Sequence, residues 1–197
     1  MEPFRTHTGR VLPLRRSNVD TDQLIPVRFL KRLTRTGYSD GLFAVWRTDP
    51  DFVLNHEAYQ GASILVAGSE FGTGSSREHA VWALLDHGFK VVLSPRFADI
   101  FRGNSLKNGL LTIELAQDVI EQLWQRAEER PQEPISVDLE ALEVRAGDLT
   151  VPFELNPFHR KRLLEGLDEV DATLQHAATI AAYESGRPAW LPTALPV

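Results

Sequence analysis

The chain has 197 residues, 43% of them hydrophobic and 24% charged, enough for a sizeable core and unlike a disordered segment. Its net charge of −6, from 21 Lys and Arg against 27 Asp and Glu, gives no electrostatic footprint for nucleic acid or an anionic membrane. There is no cysteine, which removes disulfides, thiolate nucleophiles and thiolate-held iron–sulfur clusters from this chain's repertoire.

"MEPFRTHTGR" at the start lacks the apolar segment of a signal peptide, and no run approaches the ~18 apolar residues of a membrane span. The expectation is a cytoplasmic chain with no membrane and no nucleic-acid partner. "GRVLPL" and "DQLIPV" read as short strands, the second ended by Pro26. Residues 28–50 mix basic residues, aromatics and two glycines without clean periodicity, and read as a long excursion, part helix and part loop.

"ASILVAG" (62–68) predicts a buried strand and "SREHAVWALLDH" a helix over about 76–87. Ser75 followed by Glu78 matches a capping box, and Gly88 stands where a helix-ending residue belongs. "FKVVLS" predicts a second buried strand, "RFADIFRGNSLKNG" a helix ending near Asn108-Gly109, and "LLTIEL" a third strand. "AQDVIEQLWQRAEER" is amphipathic and is broken by Pro131 and Pro134. Residues 135–155 alternate like a β-hairpin or meander with a turn at Ala146-Gly147-Asp148. Two helical stretches follow, the first with Asn156 as N-cap before Pro157. Strands alternating with helices predict an α/β domain with a partly parallel sheet, one unit over 1–197 with a helical extension from 157.

The stretch "GSEFGTGSSREHA" (68–80) concentrates chemistry between a strand and a helix. A helix N-terminus carries unsatisfied N–H groups and partial positive charge. Gly72 and Gly74 let the backbone come close to a ligand, and Thr73, Ser75 and Ser76 add hydroxyls. Arg77 adds a planar fork that grips a carboxylate with two parallel hydrogen bonds. The ensemble suits a carboxylate or a phosphate. It is not a Walker A loop, because the sixth position from Gly68 is Thr73 with no lysine after it. It is not a dinucleotide fingerprint, because Arg77 stands where the third glycine belongs. Ser75 has two readings, helix cap and reactive hydroxyl, that compete for one oxygen. The six histidines fall into neither HxxxH nor HExxH spacing, which disfavours a zinc site.

This stretch strongly resembles the signature of the aconitase swivelling-domain family. "NVDTDQLIP" (18–26) resembles that family's first signature and "SPRFADIFRGNSLKNGLL" (94–111) its third. The chain length and "FLKRLTRTG" (29–37) resemble the family's branch of isopropylmalate isomerase small subunits. The resemblance implies an α/β fold: a swivelling β/β/α domain like aconitase domain 4, with additional C-terminal helices. It implies a hydro-lyase of leucine biosynthesis that isomerises 2-isopropylmalate to 3-isopropylmalate by dehydration and rehydration. It also implies a [4Fe–4S] cluster, which a chain without cysteine must find on a large-subunit partner.

Carried over residue by residue, the resemblance makes Ser75 the base and Arg77 the carboxylate-binding arginine. Ser76 and Gly74 would contact substrate, and Thr21, Asp22 and Glu78 would support the site. In the recognition loop, Leu30 would meet the substrate's isopropyl group and Lys31 and Arg35 a carboxylate. Each of these also has a structural reading: a core leucine, a solvated basic face, an Asx-type turn at Asp22. His79, Asn104 and Lys107 read as structural. Rival functions are the small subunit of a homoaconitase or another alkylmalate hydro-lyase, and an anion-binding module without chemistry.

Overall fold

The computed structural model describes residues 1–188, 190 and 191. Two four-stranded sheets organise the chain. The first is parallel, in the order β2 (Val11–Leu14), β3 (Ile64–Ala67), β4 (Val91–Ser94), β5 (Leu111–Glu114). Its register sets Val11 beside Ile64, Ile64 beside Val91 and Val91 beside Leu111. β2, β3 and β4 are buried along their whole length, which is why they read as continuous apolar runs rather than as alternation. Pro13 is tolerated within β2 because that strand is at the sheet's edge.

The crossovers between these strands are helical. α2 (Glu78–His87) joins β3 to β4, and α3 (Asp99–Asn108) joins β4 to β5. Both stop at a left-handed glycine, Gly88 (φ +111°) and Gly109 (φ +87°), the conformation a residue with a Cβ resists. α4 (Gln117–Glu129) lays Ile120, Leu123, Trp124 and Ala127 on the sheet. The Trp124 indole N–H, fully enclosed there, donates to the Val66 carbonyl at 2.8 Å, so burial of the ring leaves no polar atom unpaired.

The second sheet is antiparallel, in the order β1 (Thr6–Gly9), β6 (Ile135–Asp138), β7 (Glu143–Ala146), β8 (Leu149–Pro152). The meander expected over 135–155 is β6–β7–β8. The single N-terminal strand read from "GRVLPL" is β2; the four residues before Arg10 form β1, which pairs with β6 in the other sheet. α5 (Pro157–Glu165) starts as expected, with Asn156 Oδ1 accepting from the Phe158 N–H at 2.9 Å. The last helical stretch is two helices, α6 (Glu169–Leu174) and α7 (Ala177–Ser185), which part at Gln175-His176. The rest of the extension expected over 157–197, Ala189 and 192–197, lies outside the described residues.

One expectation is corrected. "DQLIPV" is not a strand. Thr21–Leu24 is a short helix, α1, closed by a capping box in which Asp20 accepts from the Gln23 N–H and Gln23 from the Asp20 N–H. Those two reciprocal bonds outweigh the β propensity of Leu24 and Ile25. Residues 28–50 are part helix and part loop, as expected, with 3₁₀ turns at Val27–Lys31 and Trp46–Thr48, and they fold onto the core, where Tyr38, Leu42 and Phe43 are completely buried. Tyr38 stacks edge-on to His79 and its N–H donates to Asp86 at 2.8 Å, which ties the segment to α2.

Candidate functional site

Because β2, β3 and β4 are parallel, their carboxyl ends share one edge of the sheet, and the segments leaving them meet there. In open α/β sheets that edge is where ligands bind. The turn after β3 is laced to its neighbours through the backbone. The Gly72 N–H donates to Val19 O at 2.7 Å, the Thr21 N–H to Thr73 O at 2.9 Å and the Ala98 N–H to Phe71 O at 3.0 Å. The Thr21 hydroxyl donates to Ser75 O at 3.1 Å. Three chain segments distant in sequence are thereby held around one space.

That space is a cavity of about 250 Å³, lined by Thr21, Gly74, Ser75, Ser76 and Arg77 on one side and by Asp99, Ile100, Phe101 and Asn104 of α3 on the other. Complete small-molecule sites run to roughly 300–1,000 Å³, so the cavity has the size of part of one. Gly72 forms its floor at φ +82°, where an added Cβ would stand 2.2 Å from Phe101 Cγ. Glycine is required there by both conformation and space.

The capping box expected between Ser75 and Glu78 is absent. α2 begins at Glu78, and its N-cap, Arg77, sits in extended backbone with no side-chain cap bond. The cause is the turn before it. Gly74 at φ +88° and the Thr21–Ser75 bond hold Ser75 back in the loop. Glu78 turns to α3 instead and accepts from Asn108 Nδ2 at 2.7 Å, while Trp82 Nε1 donates to Asn108 Oδ1 at 3.1 Å. The Ser75 oxygen is therefore released from the capping role: it is exposed and makes no side-chain hydrogen bond among the described residues.

The electrostatics follow from the helix ends. α3 also lacks a side-chain cap at its own N-terminus, at Ala98. Two helix N-termini, each with unsatisfied N–H groups and partial positive charge, thus face one cavity. Arg77 adds a full charge. Its guanidinium, 17% exposed, is paired through Nη1 with Asp22, whose side chain is 54% exposed. Asp22 orients the fork at the cavity's rim and leaves it accessible. The arrangement can hold a carboxylate against Arg77 and the helix ends, with a hydroxyl oxygen alongside.

Thr21, Asp22, Gly74, Ser75, Ser76 and Arg77 are brought together, as the sequence predicts. Leu30, Lys31 and Arg35 are not part of the cavity wall. Leu30 is half-buried against the core, and Lys31 and Arg35 are exposed without an ion pair among the described residues. Arg32 is engaged within its own segment by two 2.7 Å bonds to Asp40, and holds that carboxyl below the usual range. His79 is structural, packed between Tyr38 and Trp82, and Lys107 pairs with Glu169 at 3.0 Å. Asn104, which the sequence reading took as structural, lines the cavity from the second turn of α3. The signal was the second strand–turn–helix unit, β4 to α3, parallel to the first and therefore opening on the same edge.

Comparisons with known proteins give the family and agree with the fold. The family model of the aconitase C-terminal domain matches residues 1–118, and that of the C-terminal domain of 3-isopropylmalate dehydratase small subunits matches 169–197. A 3-isopropylmalate dehydratase small subunit of Thermobifida fusca is 65% identical over 98% of both chains, and one of Streptomyces coelicolor is 61% identical over the whole of both. A crystal structure of a 3-isopropylmalate dehydratase from Methanocaldococcus jannaschii superposes with a TM-score of 0.65 at 26% identity, covering 91% of this chain and 99% of the other. The chain belongs to the aconitase C-terminal-domain family, in the group of 3-isopropylmalate dehydratase small subunits.

Proposed function

We propose that this chain is the small subunit of a 3-isopropylmalate dehydratase, acting in the cytoplasm with a large subunit. It isomerises 2-isopropylmalate to 3-isopropylmalate by removing and re-adding water. The observation that carries the reading is an uncommitted serine hydroxyl, Ser75, between two uncapped helix N-termini and beside Arg77. Full-length relatives with 58–65% identity bear that name.

The residues present do not fit the family's iron–sulfur cluster. The chain has no cysteine, and no three His, Asp or Glu side chains converge among the described residues. The cluster, and the departure of the hydroxyl, are assigned to the large subunit. This chain supplies the other half. Arg77 and the α2 and α3 N-termini bind and orient the substrate's carboxylates. Ser75 Oγ takes the proton from the carbon next to the carbinol, and on rehydration returns it to the other carbon of the double bond. A serine hydroxyl is a poor base unless its anion is stabilised in place, and the unsatisfied N–H groups and the guanidinium supply that stabilisation. Gly74 lets the backbone approach the substrate, Ser76 adds a hydroxyl contact, and Asp22 and Thr21 hold Arg77 and the turn. The 28–37 segment, with Leu30 half-buried and Lys31 and Arg35 exposed, reaches the substrate once the partner closes the site, Leu30 toward its isopropyl group and Lys31 and Arg35 toward a carboxylate.

The test is reconstitution. The purified chain alone is expected to be inactive and iron-free, and the pair to convert 2-isopropylmalate in preference to homocitrate and citrate. A pair that prefers a longer tricarboxylate would move the chain to the homoaconitase branch. Tight nucleotide binding by the isolated chain, with an inactive pair, would favour the anion-binding module.

A further inference from the structure

Of the ten large hydrophobic side chains exposed among the described residues, one lines the cavity, one is on α5 and five lie further along the chain, between 170 and 190. Ile100, 56% exposed, is a cavity wall residue at the start of α3. Beside it runs an open groove of about 910 Å³ between α3 and the β8–α5 connection. The groove shares Asp99 with the cavity and ends against α5, where Phe158 is 59% exposed. Next along the chain, α6 and α7 expose Leu174 (60%) and Tyr183 (71%).

The two terminal helices form an arm that the other described residues do not bury. Neither has a buried residue. The arm is tied at its root, by Lys107 of α3 to Glu169 at 3.0 Å and by Gln175 to Glu165 at 3.3 Å. Beyond the root, none of the described residues of α6 and α7 is buried. α7, "AATIAAYES", is nine residues long and mostly apolar, with Thr179, Glu184 and Ser185 spread around it rather than gathered on a polar face. Helices below about 12–15 residues are marginal in water by themselves and gain most of their stability from packing. The arm has the composition of an interface and no core of its own among the described residues.

We infer that this arm, with the groove leading to it, is the docking surface for the large subunit. The inference rests on the proposed function, because it is the half-built cavity that requires a second chain. Continuity selects that occupant. A partner that completes the cavity must cover Ile100, and the eight-residue step along α3 from Asp99 to Lys107 is only about 12 Å. A standard interface covers about 800 Å² per partner, wide enough to take in both the cavity and the arm's root. A second copy of this chain on the same surface would obstruct the approach to the cavity.

The test uses the full chain with substitutions L174E and Y183E together, titrated against the large subunit of the same organism. Both side chains are well exposed, so the isolated variant should melt with the wild type. Its affinity for the large subunit should fall at least ~30-fold, the scale of two lost anchor residues. Turnover at saturating large subunit should stay near that of the wild-type pair. Unchanged affinity would overturn the inference, as would a concentration-dependent homodimer of the wild-type chain in sedimentation velocity that the substitutions abolish. Binding is read without turnover, so a pair that associates through the arm but converts no alkylmalate would contradict the proposed function and uphold the docking surface.

Discussion

Gly72→Ala tests how the cavity floor is built. At φ +82° the position lies in the left-handed region, and the new Cβ would stand 2.2 Å from Phe101 Cγ, 2.5 Å from its Cβ and 2.6 Å from its Cδ1. Those are the root atoms of a side chain only 3% exposed and stacked on Phe71 and Phe97, so it cannot swing aside. The turn cannot retreat either, because the Gly72 N–H is bonded to Val19 O and the neighbouring Phe71 carbonyl to the Ala98 N–H. Left-handed strain of about 1–2 kcal/mol and overpacking of about 1–3 kcal/mol together cost about 2–5 kcal/mol, a fall in Tm of about 5–20 °C for a chain of this size. Thermal melts of the isolated chain measure it. Phe101→Gly as a second background, which removes the Cβ as well as the ring, separates the two causes. There, Gly72→Ala should cost only the backbone strain of about 1–2 kcal/mol, so the two substitutions couple favourably. An equal cost in both backgrounds, or a melt within about 2 °C of the wild type, would refute the packing argument.

Arg77→Lys in the reconstituted pair should lower turnover at least ~10-fold, since a point charge cannot replace a two-pronged grip and a charge-assisted bond is worth about 1.5–3 kcal/mol. Its Tm should hardly move, because lysine keeps the charge opposite Asp22, whose carboxylate is 54% exposed, and partly exposed pairs contribute about 1 kcal/mol or less; wild-type kinetics would remove Arg77 from the substrate site. The isolated chain should lose stability on mild acidification. Burial holds His7, His87 and His159 below the ordinary imidazole value, with help from Lys90 at His7, from Arg47 at His87 and from Arg162, Arg102 and Lys107 at His159. Below about pH 6.5 the unfolded chain then binds protons that the folded chain resists, so stability falls from there down through the folded pKa values and then levels off. The check is a lower Tm at pH 5.5 than at pH 7.5; a flat profile would contradict the sign.

The parallel sheet was legible because its strands are buried on both faces and each helix ends at a glycine. Gly88 and Gly109 mark those ends in the sequence as plainly as in the structure. The second sheet was only half legible. The β6–β7–β8 meander is local, but β1 pairs with a strand more than 120 residues away, and nothing near Thr6 announces that partner. Two stretches of sequence matched a capping box, Asp20 with Gln23 and Ser75 with Glu78. The first forms and the second does not. Tertiary contacts decide between them, because the Thr21 hydroxyl and Gly74 hold the Ser75 turn away from the helix. Residue type and context alone marked the glycine–serine turn as a place for an anion, while the roles of Ser75, Ser76 and Arg77 came only from the family resemblance. The α3 wall was not legible, because Asn104 enters the cavity only once two crossovers are known to open on one sheet edge.

The account stands most directly on Ser75, a hydroxyl that carries no structural duty. A capping serine replaced by alanine costs about 0.5–2 kcal/mol, whereas an exposed serine outside a cap costs within about 0.5 kcal/mol, or roughly 1–2 °C of Tm here. A positioned acid–base group, by contrast, is worth about 10²–10⁴-fold in rate. The measurement is Ser75→Ala: the melt of the isolated chain, its affinity for the large subunit, and turnover of the saturated pair on 2-isopropylmalate. The account predicts unchanged melting, unchanged affinity and a loss of turnover of at least ~100-fold. Near-normal turnover would contradict it, and would put the base elsewhere.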